Sequence, residues 1–171
     1  TTYTVTGSDT NGCTATASIL INVNTPPTVS VNACSASICN GQGSATIAAS
    51  GAASYNWSNG ATTASITVSP SITTVYTVTG TSVDGCTATA SVTINVNTPP
   101  TVAVSSTSSA VCNGQGSSTI TATGATTYNW STGETTAIIT VSPSVATTYT
   151  VTGSDTNGCT ATASILINVN T

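Results

Sequence analysis

The chain has 171 residues and a formal net charge of −4, with no Lys, Arg, His, Met or Phe; its only acids are Asp9, Asp84, Glu134 and Asp155. Without a basic side chain there is no electrostatic footprint for nucleic acid or an anionic membrane surface. With no His or Lys and only scattered acids there is no ordinary general base and no glycosidase pair, so no enzyme is expected, and no stretch approaches the roughly 20 apolar residues of a membrane span.

From the N terminus, Thr1 to Thr25 reads TTYTVTGSDTNGCTATASILINVNT, and the same 25 letters close the chain from Thr147 to Thr171. NTPPTV starts at Asn24 and Asn97, CNGQGS at Cys39 and Cys112, and YNWS at Tyr55 and Tyr128, which sets a period of 73 residues. Repetition at a fixed period is the signature of an array of like units. Cutting at the double prolines gives residues 1–25 as the C-terminal part of one repeat, 26–98 as a full repeat and 99–171 as a second. The segment 1–25 matches the tail of the second repeat but not that of the first, so two repeat types are expected to alternate in a window of a longer tandem array.

Within the first full repeat, alternation and turn residues place strands at Thr28–Asn32, Ser44–Ser50, Ser54–Trp57, Ala64–Ser69, Thr74–Gly80 and Thr87–Val96. In TASITVS, Ala64, Ile66 and Val68 share one face, and Ala88, Ala90, Val92, Ile94 and Val96 do so in TATASVTINV; such alternation marks half-buried strands. Thr on the outward positions supplies β-propensity without charge. Asn-Gly in SNGA and Asp-Gly in SVDG are strong short hairpin signals. Six or seven short strands at this spacing predict an all-β chain of tandem immunoglobulin-like β-sandwich repeats of 73 residues. Trp57, Trp130, Tyr76 and Tyr149 are the expected core aromatics.

Cysteine sets the compartment. Cys39 and Cys112 lie in CNGQG, Cys13, Cys86 and Cys159 in GCTATA, and Cys34 has no counterpart, its equivalent position in the other repeat being Thr107. Two cysteines per repeat read most simply as one disulfide inside each, Cys39 to Cys86 and Cys112 to Cys159. The absence of His, of a CxxC pair and of nearby acids speaks against a metal, and no cofactor is expected. Each such bridge closes a 47-residue loop and contributes about 4 kcal/mol by loop-closure entropy. Disulfides persist outside the cytosol, so an exported protein follows. Cys13 would bond a cysteine in the remainder of its own repeat; Cys34 is left as a buried free thiol or an interchain or inter-repeat bridge, and a Cys13–Cys34 bond across the junction is a further candidate.

ICNGQGSATIAASGAASYNWSNGATTASITVSP, followed by TTVYTVTGTSVDGCTATASVTINV, resembles the immunoglobulin-like, often PKD-like, repeats of large type IX-secreted surface proteins and gliding-adhesin filaments of bacteria. The resemblance covers both full repeats and the leading segment. It implies an extracellular or cell-surface location and a role as spacer, stalk or filament.

Two further expectations concern partners. Leu20, Ile138 and Leu166 occupy outward parity where the first repeat has Ser65 and Thr93, which would give alternate repeats an apolar patch for lateral self-association into fibres. Alternatively, exposed Trp57 and Trp130 would make each repeat a carbohydrate-binding module for surface glycans, against the reading of both as core residues. A chain without Lys or Arg offers trypsin no site: the reduced, unfolded protein is expected to keep its full mass after prolonged trypsin treatment, and defined fragments would contradict this.

Overall fold

The computed structural model describes residues 1–170, and among them it contains 16 β-strands and no helix. β1 (Thr2–Ser8) and β2 (Thr14–Leu20) form a two-stranded antiparallel hairpin in which Thr2 registers with Leu20 and Ser8 with Thr14. The first full repeat then supplies β3 (Ser30–Ala33), β4 (Ser37–Cys39), β5 (Ala45–Ser50), β6 (Ser54–Trp57), β7 (Ser65–Val68), β8 (Thr74–Thr81) and β9 (Thr87–Asn97). The second supplies their equivalents β10 (Ala103–Ser106), β11 (Ala110–Cys112), β12 (Ser118–Thr123), β13 (Thr127–Trp130), β14 (Ile138–Val141), β15 (Thr147–Ser154) and β16 (Thr160–Asn170). The sheet orders are β3-β5-β7 and β4-β9-β8-β6, then β10-β12-β14 and β11-β16-β15-β13. One three-stranded and one four-stranded sheet per repeat give the expected immunoglobulin-like sandwich.

The chain divides into two compact units. The first holds Thr1–Cys34, Thr46–Ile66 and Val75–Val92; the second holds Ser35–Ala45, Thr67–Thr74 and Thr93–Thr171. In the first, Ile47, Ala49, Trp57, Ile66, Tyr76 and Val78 are buried. In the second, Val111, Ile120, Ala122, Trp130, Ile139, Val141, Tyr149, Val151 and Ile167 form one apolar core between the sheets of the second repeat. The side chains are small, so two aromatics per repeat carry much of the packing, as the sequence suggested for Trp57, Trp130, Tyr76 and Tyr149. Each indole also meets its polar need: Trp57 Nε1 donates to Thr63 O at 2.8 Å, and Trp130 Nε1 to Thr136 O at 2.9 Å. Ser118 is fully buried and donates to Ser108 O at 2.7 Å. Buried side-chain N and O atoms among the described residues all have partners, as a low-dielectric interior requires.

Three features differ from the sequence reading. The strand β4, and β11 after it, was not expected; three residues are too few to show alternation, and the pairing is parallel, Cys39 with Asn97 and Cys112 with Asn170. The Asn59–Gly60 turn does close, with Gly60 N–H donating to Trp57 O at 2.8 Å, but it does not make a hairpin. β6 pairs with β8 while β7 lies beside β5, so this turn carries the chain between sheets. Cys34 is exposed rather than buried. Thr46 N–H donates to its Sγ at 3.2 Å, and in the next repeat Thr119 N–H donates to Thr107 Oγ1 at 3.0 Å, so sulfur and hydroxyl perform the same ladder-end task.

In each sandwich one glycine of left-handed backbone, Gly51 or Gly124, is also fixed by contact with another backbone segment. At Gly124, φ is +91° and a Cβ would stand 1.9 Å from Thr101 O; at Gly133, φ is +97° with open space around it. Left-handed backbone costs a non-glycine residue about 1–2 kcal/mol, and a backbone clash adds to that. Gly124→Ala is therefore expected to lower unfolding free energy by about 3 kcal/mol or more and Gly133→Ala by about 1 kcal/mol, read by denaturant unfolding; equal losses would contradict the packing described.

Candidate functional site

The most developed chemistry lies where the second compact unit gathers residues 35–45 with residues 93–171. Cys39 ends β4, and Asn40 N–H donates to Asn97 O at 2.8 Å, which holds the CNGQG loop against the end of β9. Gln42 N–H donates to Cys39 O at 2.9 Å and closes the loop, with Gly41 and Gly43 at φ of 72° and 90° allowing it to reverse. Cys159 follows the turn after β15. There Asp155 Oδ1 accepts the Asn157 N–H at 2.9 Å and the Cys159 N–H at 2.8 Å, an arrangement that Asp favours at turns.

These two loops are joined. Cys39 and Cys159 form a disulfide with Cα atoms 5.5 Å apart across 120 positions of sequence, and Cys159 is fully buried. Beside it Gln42 Nε2 donates to Thr160 O at 2.7 Å, and Thr160 Oγ1 donates to Gln42 Oε1 at 3.2 Å. One amide side chain thus uses both its donor and its acceptor on one residue.

This corrects the pairing expected from sequence. Cys39–Cys86 and Cys112–Cys159 are not formed, and Cys86 and Cys112 are free thiols. The reason is strand length. Cys112 registers with Asn170 at the end of β16, whereas Cys159 directly precedes Thr160 at its start, and β16 is 11 residues long. At about 3.3 Å per residue the two cysteines stand about 36 Å apart along the strand, far beyond the roughly 7 Å Cα limit for a bridge. Cys39, registered with Asn97, and Cys86, preceding Thr87, flank β9 in the same way. No local signal in the sequence shows this, because the parallel pairing of Ser37, Ile38 and Cys39 with Asn95, Val96 and Asn97 is set by topology. A Cys13–Cys34 bond is not formed either, and both of these thiols are free and exposed.

The remaining candidates separate cleanly. Trp57 and Trp130 are 2% and 3% exposed, so neither presents a ring face to a sugar. Leu20, Ile138 and Leu166 are exposed, as their parity implied. They do not make one patch: Ile138 lies on the β10-β12-β14 sheet, Leu166 on the β11-β16-β15-β13 sheet, and Leu20 on the separate hairpin. Glu134 is exposed, and its carboxyl is held below its ordinary range first by the Thr132 hydroxyl and then by its own backbone N–H. No group of three or more His, Cys, Asp or Glu among the described residues could hold a metal.

No protein-family model and no curated protein matches the chain. Among solved structures it is similar to the Ca2+-stabilized adhesin that helps an Antarctic bacterium reach out and bind ice, at 22% identity and a TM-score of 0.50, covering 99% of this chain and 56% of that one. A 1.5-MDa bacterial ice-binding adhesin is similar at 20% identity and a TM-score of 0.40, covering 99% of this chain and 74% of that one. The three N-terminal domains of the bacteriophage RB49 outer capsid protein Hoc are similar at 21% identity and 0.42, covering 84% and 59%. The chain thus spans little more than half of the first of these, and the likeness shows the all-β sandwich fold.

A 120-residue loop contributes about 5 kcal/mol through lost entropy of the unfolded chain. Cys159→Ser is expected to lower unfolding free energy by several kcal/mol and Cys86→Ser by less than about 1 kcal/mol, read by denaturant unfolding under oxidising conditions. Comparable losses of about 4 kcal/mol from both substitutions would restore the within-repeat pairing.

Proposed function

We propose that the chain is part of a non-enzymatic structural array outside the bacterial cell, the stalk of a large surface adhesin or an extracellular filament. The observation that carries this reading is the Cys39–Cys159 disulfide. It gives consecutive repeats a second covalent connection beside the proline-bearing Asn97–Thr101 linker, which suits a molecule that must transmit force. A disulfide also fits an oxidising compartment outside the cytosol. The fold shared with an adhesin that reaches out from a bacterium supports the surface role. That protein is Ca2+-stabilized; with only four acids, this chain would rely on disulfides for the same bracing. Resemblance of the CNGQG, YNWS and GCTATA motifs to PKD-like repeats supports export through a type IX system as the finer reading.

Surface chemistry is consistent with this role. A neutral, Thr-rich exterior lets chains lie close with little repulsion and little response to salt. Exposed Leu166, at 48%, is an apolar position available to lateral association on its sheet. Antibodies raised against the chain are expected to label unpermeabilised source cells or threads shed from them. Labelling that appears only after permeabilisation would overturn the extracellular reading.

A further inference from the structure

Asn-Gly pairs occur at Asn11, Asn40, Asn59, Asn113 and Asn157. Such a pair is open to attack of the glycine nitrogen on the preceding side-chain amide, because glycine has no Cβ to block the approach. The turns hold these pairs in two different ways. Gly12, Gly60 and Gly158 each take the last position of a β-turn, and their N–H groups close it, donating to Asp9 O at 3.1 Å, Trp57 O at 2.8 Å and Asp155 O at 3.2 Å. Gly41 and Gly114 stand one position earlier in theirs. There the closing donors are Gln42 N–H, to Cys39 O at 2.9 Å, and Gln115 N–H, to Cys112 O at 3.0 Å. The N–H of Gly41 and of Gly114 belongs to the central peptide of the turn and takes no acceptor among the described residues.

Turn position decides whether the nitrogen can move. Gly41 and Gly114 have φ of 72° and 69°, while Asn40 and Asn113 keep negative φ, the pattern of a type II turn. Its central peptide rotates about the asparagine ψ and the glycine φ without breaking the closing bond, and that rotation carries the glycine nitrogen toward the asparagine Cγ. At Gly12, Gly60 and Gly158 the same rotation tears out the closing bond itself. Asn40, Gly41, Asn113 and Gly114 are all exposed. Asn40 and Gly41 also line a cavity of about 320 Å³ with Ser69, Pro70 and Ser71, which gives water access to the reacting atoms.

We propose that Asn40 and Asn113 are sites of spontaneous deamidation in the folded chain, selected over the other Asn-Gly pairs by their place in the turn. Gly41 N attacks Asn40 Cγ: the N–Cγ bond forms, the Cγ–Nδ2 bond breaks, and Nδ2 leaves as ammonia with the proton from the Gly41 N–H. Water then opens the cyclic imide. Addition at Cγ gives aspartate, and addition at the Asn40 carbonyl carbon gives isoaspartate, with the backbone rerouted through Cβ. Asn113 and Gly114 react in the same way. Each event consumes one water and adds one negative charge to a chain whose formal net charge is −4. The isoaspartate branch also lengthens the turn beside the Cys39–Cys159 disulfide by one backbone carbon. None of this depends on the structural-array reading.

The test is to age the folded, oxidised 171-residue chain and the reduced chain in denaturant side by side in mildly alkaline buffer. Samples taken over weeks are digested with a protease that does not need basic residues, and asparagine, aspartate and isoaspartate are read at each of the five positions by mass spectrometry. In the folded chain Asn40 and Asn113 are expected to convert at least tenfold faster than Asn11, Asn59 and Asn157. In denaturant, where no turn persists, the five rates are expected to agree within about threefold, because each pair then has the same freedom. A folded-state rate at Asn40 or Asn113 no faster than at the other three would overturn the proposal. So would a ranking that persists in denaturant, since it would trace to neighbouring sequence and not to turn position.

Discussion

The constraint on which the rest depends is the length of one strand. β16 runs 11 residues, with Cys159 before its first residue and Cys112 registered on its last, so a repeat carries one cysteine at each end and cannot join them to each other. A bridge from the end of one sandwich therefore reaches another repeat, as Cys39–Cys159 does. The parallel pairing of three-residue β4 with β9 places Cys39 at such an end, and the Asp155 turn places Cys159 where it can be reached. Two short features, a three-residue strand and an Asx-type turn, thereby convert a within-repeat staple into a connection between repeats.

The sandwich that holds these ends is built with little material. Its core is Ala, Val and Ile around Trp130 and Tyr149 in the second repeat, and the indole and the buried Ser118 hydroxyl are both satisfied by backbone carbonyls. With almost no charge available, ion pairs contribute nothing to specificity. Register is set by alternation and by close glycine contacts such as Gly124 against Thr101. A small apolar core of this kind is marginal alone, and covalent bracing compensates for it.

Much of the architecture was legible in the sequence. The 73-residue period, the alternation in SITV and TATASVTINV, and the aromatic pair per repeat predicted the strands and the core, because each depends on side chains near one another in sequence. What was not legible depends on partners distant in sequence. β4 has no alternation to show, the Asn59–Gly60 turn has the letters of a hairpin but joins two sheets, and the cysteine pairing follows from where strand ends fall in space. Ile138 and Leu166 illustrate the same limit: parity predicted that both are exposed, while sheet membership, which parity does not carry, separates them. Even the odd cysteine makes local sense once its neighbour is known, since Cys34 accepts the same backbone N–H that Thr107 does one period later.

Pulling a single oxidised chain from its two termini tests the central claim most directly. A Cys39–Cys159 bridge hides the 120 residues between its cysteines. At about 3.6 Å per residue, reduction under load should release about 430 Å of further extension in one step. Two separate steps of about 170 Å each would show two within-repeat loops instead, and would contradict a joint between repeats.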